Sequence, residues 1–454
     1  MQVPRPLLAA RSLIDTAARH SPARLAVTTF AGVIAVFTAL LLAPQATANG
    51  RGASVADALF TATSAVCITG LTTVDTATYW SGWGQVVILV GIKIGGLGVM
   101  TLASLLGMAV SRRIGLTQRL LTASETKVSR LGEVGALLQV IIVTSTAIEL
   151  TVAAALFPRF LALRETVGEA AWHALFYGIS AFNNAGFVPT VGGMAEHPSD
   201  WWIGAPILVG VALGSLGFPV ILDLWRTRRS ASHWTLHTKL TLATSAVLTA
   251  GGALIIGIFE WSRRESFGAL DASGKVLASM MSGVMPRSGG FSTVDTGSMH
   301  EASWLVTDAL MFVGGGSAST AGGIKVTTLA VMVLAIIAEA RGDRDVEAFG
   351  RRIPRESLRL AVAVAFVGAT IVLVSSLALL EITGEKLDRV LFEVISAFAT
   401  VGLSTGIALP ESAKYLLSAL MFVGRTGTMT VAAALALRDR RRVIRFPEER
   451  PILG

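Results

Sequence analysis

Four glycines, Gly70, Gly186, Gly290 and Gly402, stand at matching places in four short segments of this chain. The triplets that end on them are Ile68-Thr69-Gly70, Asn184-Ala185-Gly186, Ser288-Gly289-Gly290 and Thr400-Val401-Gly402. The side chains differ widely between triplets, so any chemistry they share belongs to the backbone. Carbonyl oxygens stacked in rings can replace the hydration shell of a monovalent cation. The backbone then needs unusual dihedral angles, which glycine permits. A single Thr-Val-Gly would be weak ground for such a ring. Its register with three other glycines carries the weight.

The framing of the glycines repeats as well. Six residues before three of them lies a serine followed by alanine: Ser64-Ala65, Ser180-Ala181 and Ser396-Ala397. Four residues before each serine is a phenylalanine: Phe60, Phe176 and Phe392. The third copy has Met280 and Val284 in those places. A large apolar residue follows every glycine: Leu71, Phe187, Phe291 and Leu403. Copies one and three also share "TVD", ending at Asp75 and Asp295. A second glycine cluster lies downstream in each copy, read as part of a spanning helix: Gly95–Gly98, Gly214–Gly217, Gly314–Ser317 and Gly424–Gly427.

Such turns need elements to hold them. Val55 to Val66, with Ser54 as N-cap, predicts a helix of about twelve residues and about 18 Å, too short to cross a bilayer. A half-crossing helix followed by irregular backbone is tolerated only where protein buries it or where it lines a watery cavity. Its C-terminal end carries partial negative charge, which favours a cation at the turn. Longer apolar runs flank these short helices, including Leu25 to Ala43, Ala136 to Phe157, Leu240 to Ile258 and Leu360 to Leu380. Each is long enough to span as a helix. The pattern is an all-α polytopic membrane protein of four tandem repeats, each a spanning helix, a short pore helix with a glycine turn, and a second spanning helix (M1–P-loop–M2), around a central pore. The expected divisions are a cytoplasmic N-terminal segment 1–24, repeats 25–111, 136–225, 236–340 and 356–437, and a cytoplasmic tail 438–454.

Composition agrees. The 454 residues are 52% hydrophobic and 15% charged, against about 25% charged in soluble domains. The net charge of +8 does not mark a nucleic-acid surface. The arginines cluster between apolar blocks: Arg112, Arg113 and Arg119; Arg226, Arg228 and Arg229; Arg341, Arg344, Arg351, Arg352 and Arg355; Arg438 and Arg440 to Arg442. Excess Arg marks cytoplasmic loops. Each unit crosses an even number of times, so the linkers share one side, and it is the arginine-rich one. The basic start and Ala46-Thr47-Ala48 resemble a cleaved signal, but the apolar run is longer than a signal's. A lone Cys67 permits no intrachain disulfide, the six histidines lack metal spacing, and no hydrolase motif or catalytic carboxylate pair is present.

"GGGSASTAGGIK" brings together Gly314, Gly315, Gly316, Ser317, Ser319, Thr320, Gly322, Gly323 and Lys325. Glycine and serine are poor helix formers, so an unwound segment within the second spanning helix of unit three is expected. Close helix packing is the bland alternative. A phosphate-binding loop needs GK followed by Ser or Thr, whereas Ile324 separates Gly323 from Lys325 and Val326 follows.

"SAVCITGLTTVDT", "SAFNNAGF", "PRSGGFSTVDT" and "SAFATVGLSTG" resemble, in order, the four filter segments of the Trk/Ktr/HKT potassium-transport superfamily. The resemblance runs from about residue 25 to the end. The early first unit and the ending "RFPEERPILG" resemble its KtrB type. The resemblance implies a potassium-translocating subunit in the bacterial cytoplasmic membrane, not an enzyme, with both termini cytoplasmic. It implies a homodimer with one pore per subunit, a cytosolic KtrA-type RCK ring, octameric, as nucleotide-binding partner, K+ as the transported ion and Na+ as an activator. Residues 314–325 then form an intramembrane gate, restrained through hydrogen bonds by Arg425. Members with serine in place of the first filter glycine pass sodium, so Gly70 predicts potassium preference. A sodium- or proton-coupled symporter remains the alternative, and a membrane nucleotide enzyme using 314–325 a remote one. Lys93 departs from the family. It pairs with Glu149 or Glu393, or lies near the cytosolic mouth. Arg287, beside the third turn, is expected to point behind it, toward helix carbonyls or an acid. Asp75 and Asp295 either attract cations or cap the turns after them.

Overall fold

The structure, a computed structural model, describes residues 22–114, 130–163, 165–227 and 230–437. Nearly all of segment 1–24, the tail 438–454, and Arg119, Arg228 and Arg229 lie outside the described residues. Among the described residues the regular elements are helices, except for a two-stranded hairpin between units three and four, β1 (Glu347–Ala348) and β2 (Arg351–Arg352), which the sequence pattern does not announce.

Unit one consists of α1 (Pro22–Leu42), α2 (Val55–Cys67) and α3 (Gly82–Ile114). Unit two is α4 (Arg130–Ala162), α5 (Val167–Phe182), α6 (Trp201–Leu216) and α7 (Phe218–Thr227). Unit three is α8 (Leu236–Glu260), α9 (Ala272–Val284), α10 (Glu301–Phe312) and α11 (Val326–Arg341). Unit four is α12 (Arg355–Thr383), α13 (Leu387–Phe398) and α14 (Glu411–Leu437). Helices α3 and α4 have 33 residues each, about 50 Å at 1.5 Å per residue. They outrun a hydrocarbon core of about 30 Å.

The short helices start where their caps dictate. The Ser54 side chain accepts from Asp57 N–H, and Asp271 accepts from Gly274 N–H. Thr166 and Glu169 form a reciprocal capping box. Helix α13 has no side-chain cap and relies on packing. Phe60, Phe176 and Phe392 are all fully buried, which accounts for their recurrence. The third unit shows what replaces them. Met280 is 43% exposed, whereas Met281 and Met285 are buried. The burial register of unit three is therefore shifted by one residue from the alignment on Met280 and Val284.

Large apolar side chains on the outer helices face outward, among them Val247, Ile258, Phe366 and Leu373. In lipid that costs nothing, and backbone bonds within each helix satisfy its polar groups. Helices α4, α8 and α12 are long and apolar enough to cross a membrane.

Two second spanning helices are broken, not one. In unit three, residues 313–325 are non-helical, as the glycine run predicts. In unit two, α6 and α7 meet at 96°. The hinge is Gly217, at φ +94°, a conformation cheap only for glycine. The "GSLG" cluster thus ends a helix instead of lying within one.

Candidate functional site

The four glycine turns share one backbone shape. Ile68, Asn184, Ser288 and Thr400 take positive φ (57°, 58°, 72° and 50°), and so do Gly70, Gly186, Gly290 and Gly402 (87°, 68°, 74° and 95°). Left-handed residues at alternate positions turn successive carbonyls the same way, whereas a regular strand alternates its residues to opposite faces. The short helices before them end in matching turns. Thr69 N–H bonds Ser64 O at 2.7 Å, Ala185 N–H bonds Ser180 O at 2.8 Å, and Val401 N–H bonds Ser396 O at 2.8 Å. In unit three Gly289 N–H bonds Met285 O at 2.8 Å. That bond is one residue tighter, consistent with the shifted burial register.

The turns close on one another. A Cβ on Gly70 would collide with the Ala185 carbonyl oxygen. On Gly186 it would come within 2.9 Å of Gly290 Cα, and on Gly290 within 2.6 Å of Val401 O. On Gly402 it would collide with Thr69 O. The contacts run from turn one to two, three, four and back to one. Each glycine is required twice over, by its φ and by a neighbour's backbone.

Each turn is braced from behind in its own way. Ser64 Oγ accepts Gly70 N–H at 3.0 Å, and Ser396 Oγ accepts Gly402 N–H at 3.2 Å. Ser180 Oγ donates to Phe187 O at 2.8 Å. Turn three lacks the serine and uses Arg287. Its guanidinium donates to Ser245 O (2.7 Å), Ser245 Oγ (2.7 Å) and Thr249 Oγ1 (2.8 Å) on α8. The cation thus points away from the turns, onto a helix carbonyl and hydroxyls. Lys93 pairs with Glu149 at 2.6 Å, and Glu149 also accepts from Asn183 Nδ2 at 2.8 Å, behind turn two. Glu393 has other partners, Ser404 Oγ and Thr405 N–H, both at 2.7 Å. Asp75 caps Thr78 N–H at 2.8 Å and Asp295 caps Gly297 N–H at 3.0 Å.

Residues 314–325 lie against the inner ends of the turns. Gly322 packs on Ala399 and Thr400. Gly316 N–H bonds Ser215 O at 2.7 Å, and Thr320 Oγ1 bonds Gly214 O at 3.0 Å, so the loop docks on the unit-two break. Phe218 N–H returns a bond to Ala318 O at 3.2 Å. Arg425 Nη1 donates to Thr320 O at 2.5 Å, and Lys325 Nζ to Ala321 O at 2.6 Å. Inside the loop, Ser319 Oγ donates to Gly316 O, and Ser317 Oγ pairs with Thr327 Oγ1. Gly314 packs on Gly322 O, Gly315 on Ser215 O and Gly323 near Phe312 O.

The hinge at Gly217, the docking carbonyl of Ser215 and the bonds of the Ser288 hydroxyl escaped the sequence reading. Gly217-Phe218-Pro219 carried a usable signal, a glycine stop followed by a proline restart. Nothing local marks the Ser288 hydroxyl.

A family model described as "TrkH: Cation transport protein" matches residues 8–441. The chain belongs to this family. It is similar to Ktr system potassium uptake protein B of Bacillus subtilis (strain 168), 36% identical over 96% of this chain and 97% of that one. The protein of the same name from Vibrio alginolyticus is 34% identical over 96% of each chain. Potassium/sodium uptake protein NtpJ of Enterococcus hirae is 32% identical over 96% of this chain and 98% of that one. The crystal structure of the potassium transporter TrkH from Vibrio parahaemolyticus superposes with TM-score 0.70 at 16% identity, covering 89% of this chain and 84% of that one. That likeness concerns the fold. The TrkH family is one of membrane transporters, and this chain is a transporter, not an enzyme.

Proposed function

We propose that this chain takes up potassium through a carbonyl filter formed by residues 68–70, 184–186, 288–290 and 400–402. Four repeats, each with the boundaries given above, surround it. The closed ring of left-handed glycine turns carries this reading. A dehydrated cation needs several carbonyl oxygens at once, and four turns backed by helix C-termini can present them. Residues 314–325 act as the gate, with Arg425 and Lys325 holding its carbonyls. The resemblance to Ktr proteins supports a homodimer with a cytosolic KtrA-type octameric RCK ring that alone binds nucleotide, in a bacterial cytoplasmic membrane with both termini cytoplasmic. Sodium acts as activator.

Rescue of a potassium-uptake-deficient bacterium tests the core of this proposal. The chain with its partner should restore growth at low potassium, and Gly70→Ser and Gly290→Ser should lose potassium affinity or selectivity. Full selectivity in both variants would overturn the filter. The similarity to NtpJ, a potassium/sodium uptake protein, favours a second reading as a sodium-coupled symporter. Proteoliposomes separate the two. A channel passes potassium with neither a sodium nor a pH gradient.

A further inference from the structure

The four residues that open the filter triplets have unlike side chains. Ile68 is apolar, and Asn184 Oδ1 and Nδ2 and Thr400 Oγ1 have no hydrogen-bond partner. Ser288 differs from all three. Its Oγ donates to the Thr400 carbonyl oxygen at 2.6 Å and accepts from Gly322 N–H at 3.2 Å. Ser288 is fully buried. A hydroxyl has one proton to give, and here it goes to a carbonyl of the neighbouring triplet. Among the described residues, no other side-chain hydrogen bond joins segment 314–325 to a filter triplet.

We propose that Ser288 is a positioning residue that couples the gate loop to the innermost carbonyl of the fourth filter segment. This rests on the filter and gate assignments above. With the loop in place, Gly322 N–H occupies an acceptor lone pair of Ser288 Oγ and aims its proton at Thr400 O. A carbonyl that accepts a hydrogen bond is a poorer cation ligand. When the loop withdraws, the hydroxyl is free to rotate and the carbonyl is released to potassium. Loop position is thereby written into ion affinity as well as into pore access.

The test is a double-mutant cycle of Arg425→Ala, which releases the loop at Thr320, with Ser288→Gly. Glycine suits φ +72° at this position, and Ser288→Ala serves as a second hydroxyl-free variant. Uptake rate and half-saturating potassium are measured for the assembled transporter. With Ser288 present, Arg425→Ala should raise the rate and lower half-saturation about fivefold, the worth of about one net hydrogen bond. With Ser288→Gly or Ser288→Ala, Arg425→Ala should still raise the rate and leave half-saturation where the serine variant alone puts it. Equal shifts with and without Ser288, or a rate change with no shift in either, would overturn the coupling and leave the gate standing. No change in rate on Arg425→Ala at normal expression would remove the gate assignment and the coupling with it.

Discussion

Two glycine-rich regions meet at Ser288, and they use glycine for different reasons. In the ring of turns, Gly70, Gly186, Gly290 and Gly402 each sit against the backbone of another unit, and the contacts close on themselves. In segment 314–325, the glycines meet the broken unit-two helix at Ser215 and Leu216, the start of turn four at Ala399 and Thr400, and the segment's own backbone. The ring is held by four helix ends. The loop is held by a few hydrogen bonds and by one arginine, Arg425. A ring of that kind deforms as a whole or not at all. A non-helical segment held by separate hydrogen bonds can leave without unfolding a helix. Under the proposed gating, constancy belongs to the first region and movement to the second.

The sharpest way to break this comparison is to add one Cβ to the ring. Gly402→Ser must bear φ +95° and a clash with Thr69 O. Left-handed backbone alone costs about 1–2 kcal/mol. We expect potassium uptake to fall more than about tenfold, with potassium-over-sodium preference lost. Unaltered ion preference at normal expression would show that the ring is not the filter.

On the loop side, Arg425→Ala removes a charge-assisted hydrogen bond worth about 1.5–3 kcal/mol. Uptake should rise several-fold, because a held segment is let go. A fall in flux with unchanged protein level would mean that the arginine supports the open pathway instead.

A third substitution probes the ring's supports without touching the loop. Lys93→Met leaves Glu149, 2% exposed, without its cation. Removing one partner of a buried pair costs several kcal/mol. Lys93 is 23% exposed at its side chain, so about 2 kcal/mol is the expected loss, read as a lower melting temperature in detergent. Lys93→Met with Glu149→Met should recover most of it, since an apolar pair replaces an ionic one at little cost. If the double variant melts no higher than the single one, the pair is not what stabilises turn two.

The smallest effect belongs to the serine braces. Ser64→Ala should cost about 1 kcal/mol and shift half-saturating potassium less than Gly402→Ser does. Gly70 N–H would lose its acceptor while the ring's backbone contacts persist. An effect as large as that of the glycine substitution would show that the hydroxyl, not ring closure, sets the geometry.

Much of this site was legible in the chain because four copies of one unit repeat. Phe60, Phe176 and Phe392 announce buried faces, and the serines after them announce helix ends. The third unit departs from the pattern, with Met280 and Val284 at the matching positions, and only burial reveals that Met281 and Met285 face inward there. The unit-two break at Gly217 hid inside an apolar run, where a glycine cluster fits both a continuous helix and a hinge.

The sequence by itself determined the places of the four glycine turns and the unwinding of residues 314–325, because propensity and repetition are local properties. It also confined Lys93 to a choice between Glu149, Glu393 and the cytosolic mouth. Only the tertiary structure chose Glu149, turned Arg287 onto α8, and brought the Gly402 and Thr69 backbones together. Contacts between residues so far apart in the chain depend on how four helix units pack about an axis. No short stretch of residues carries that information.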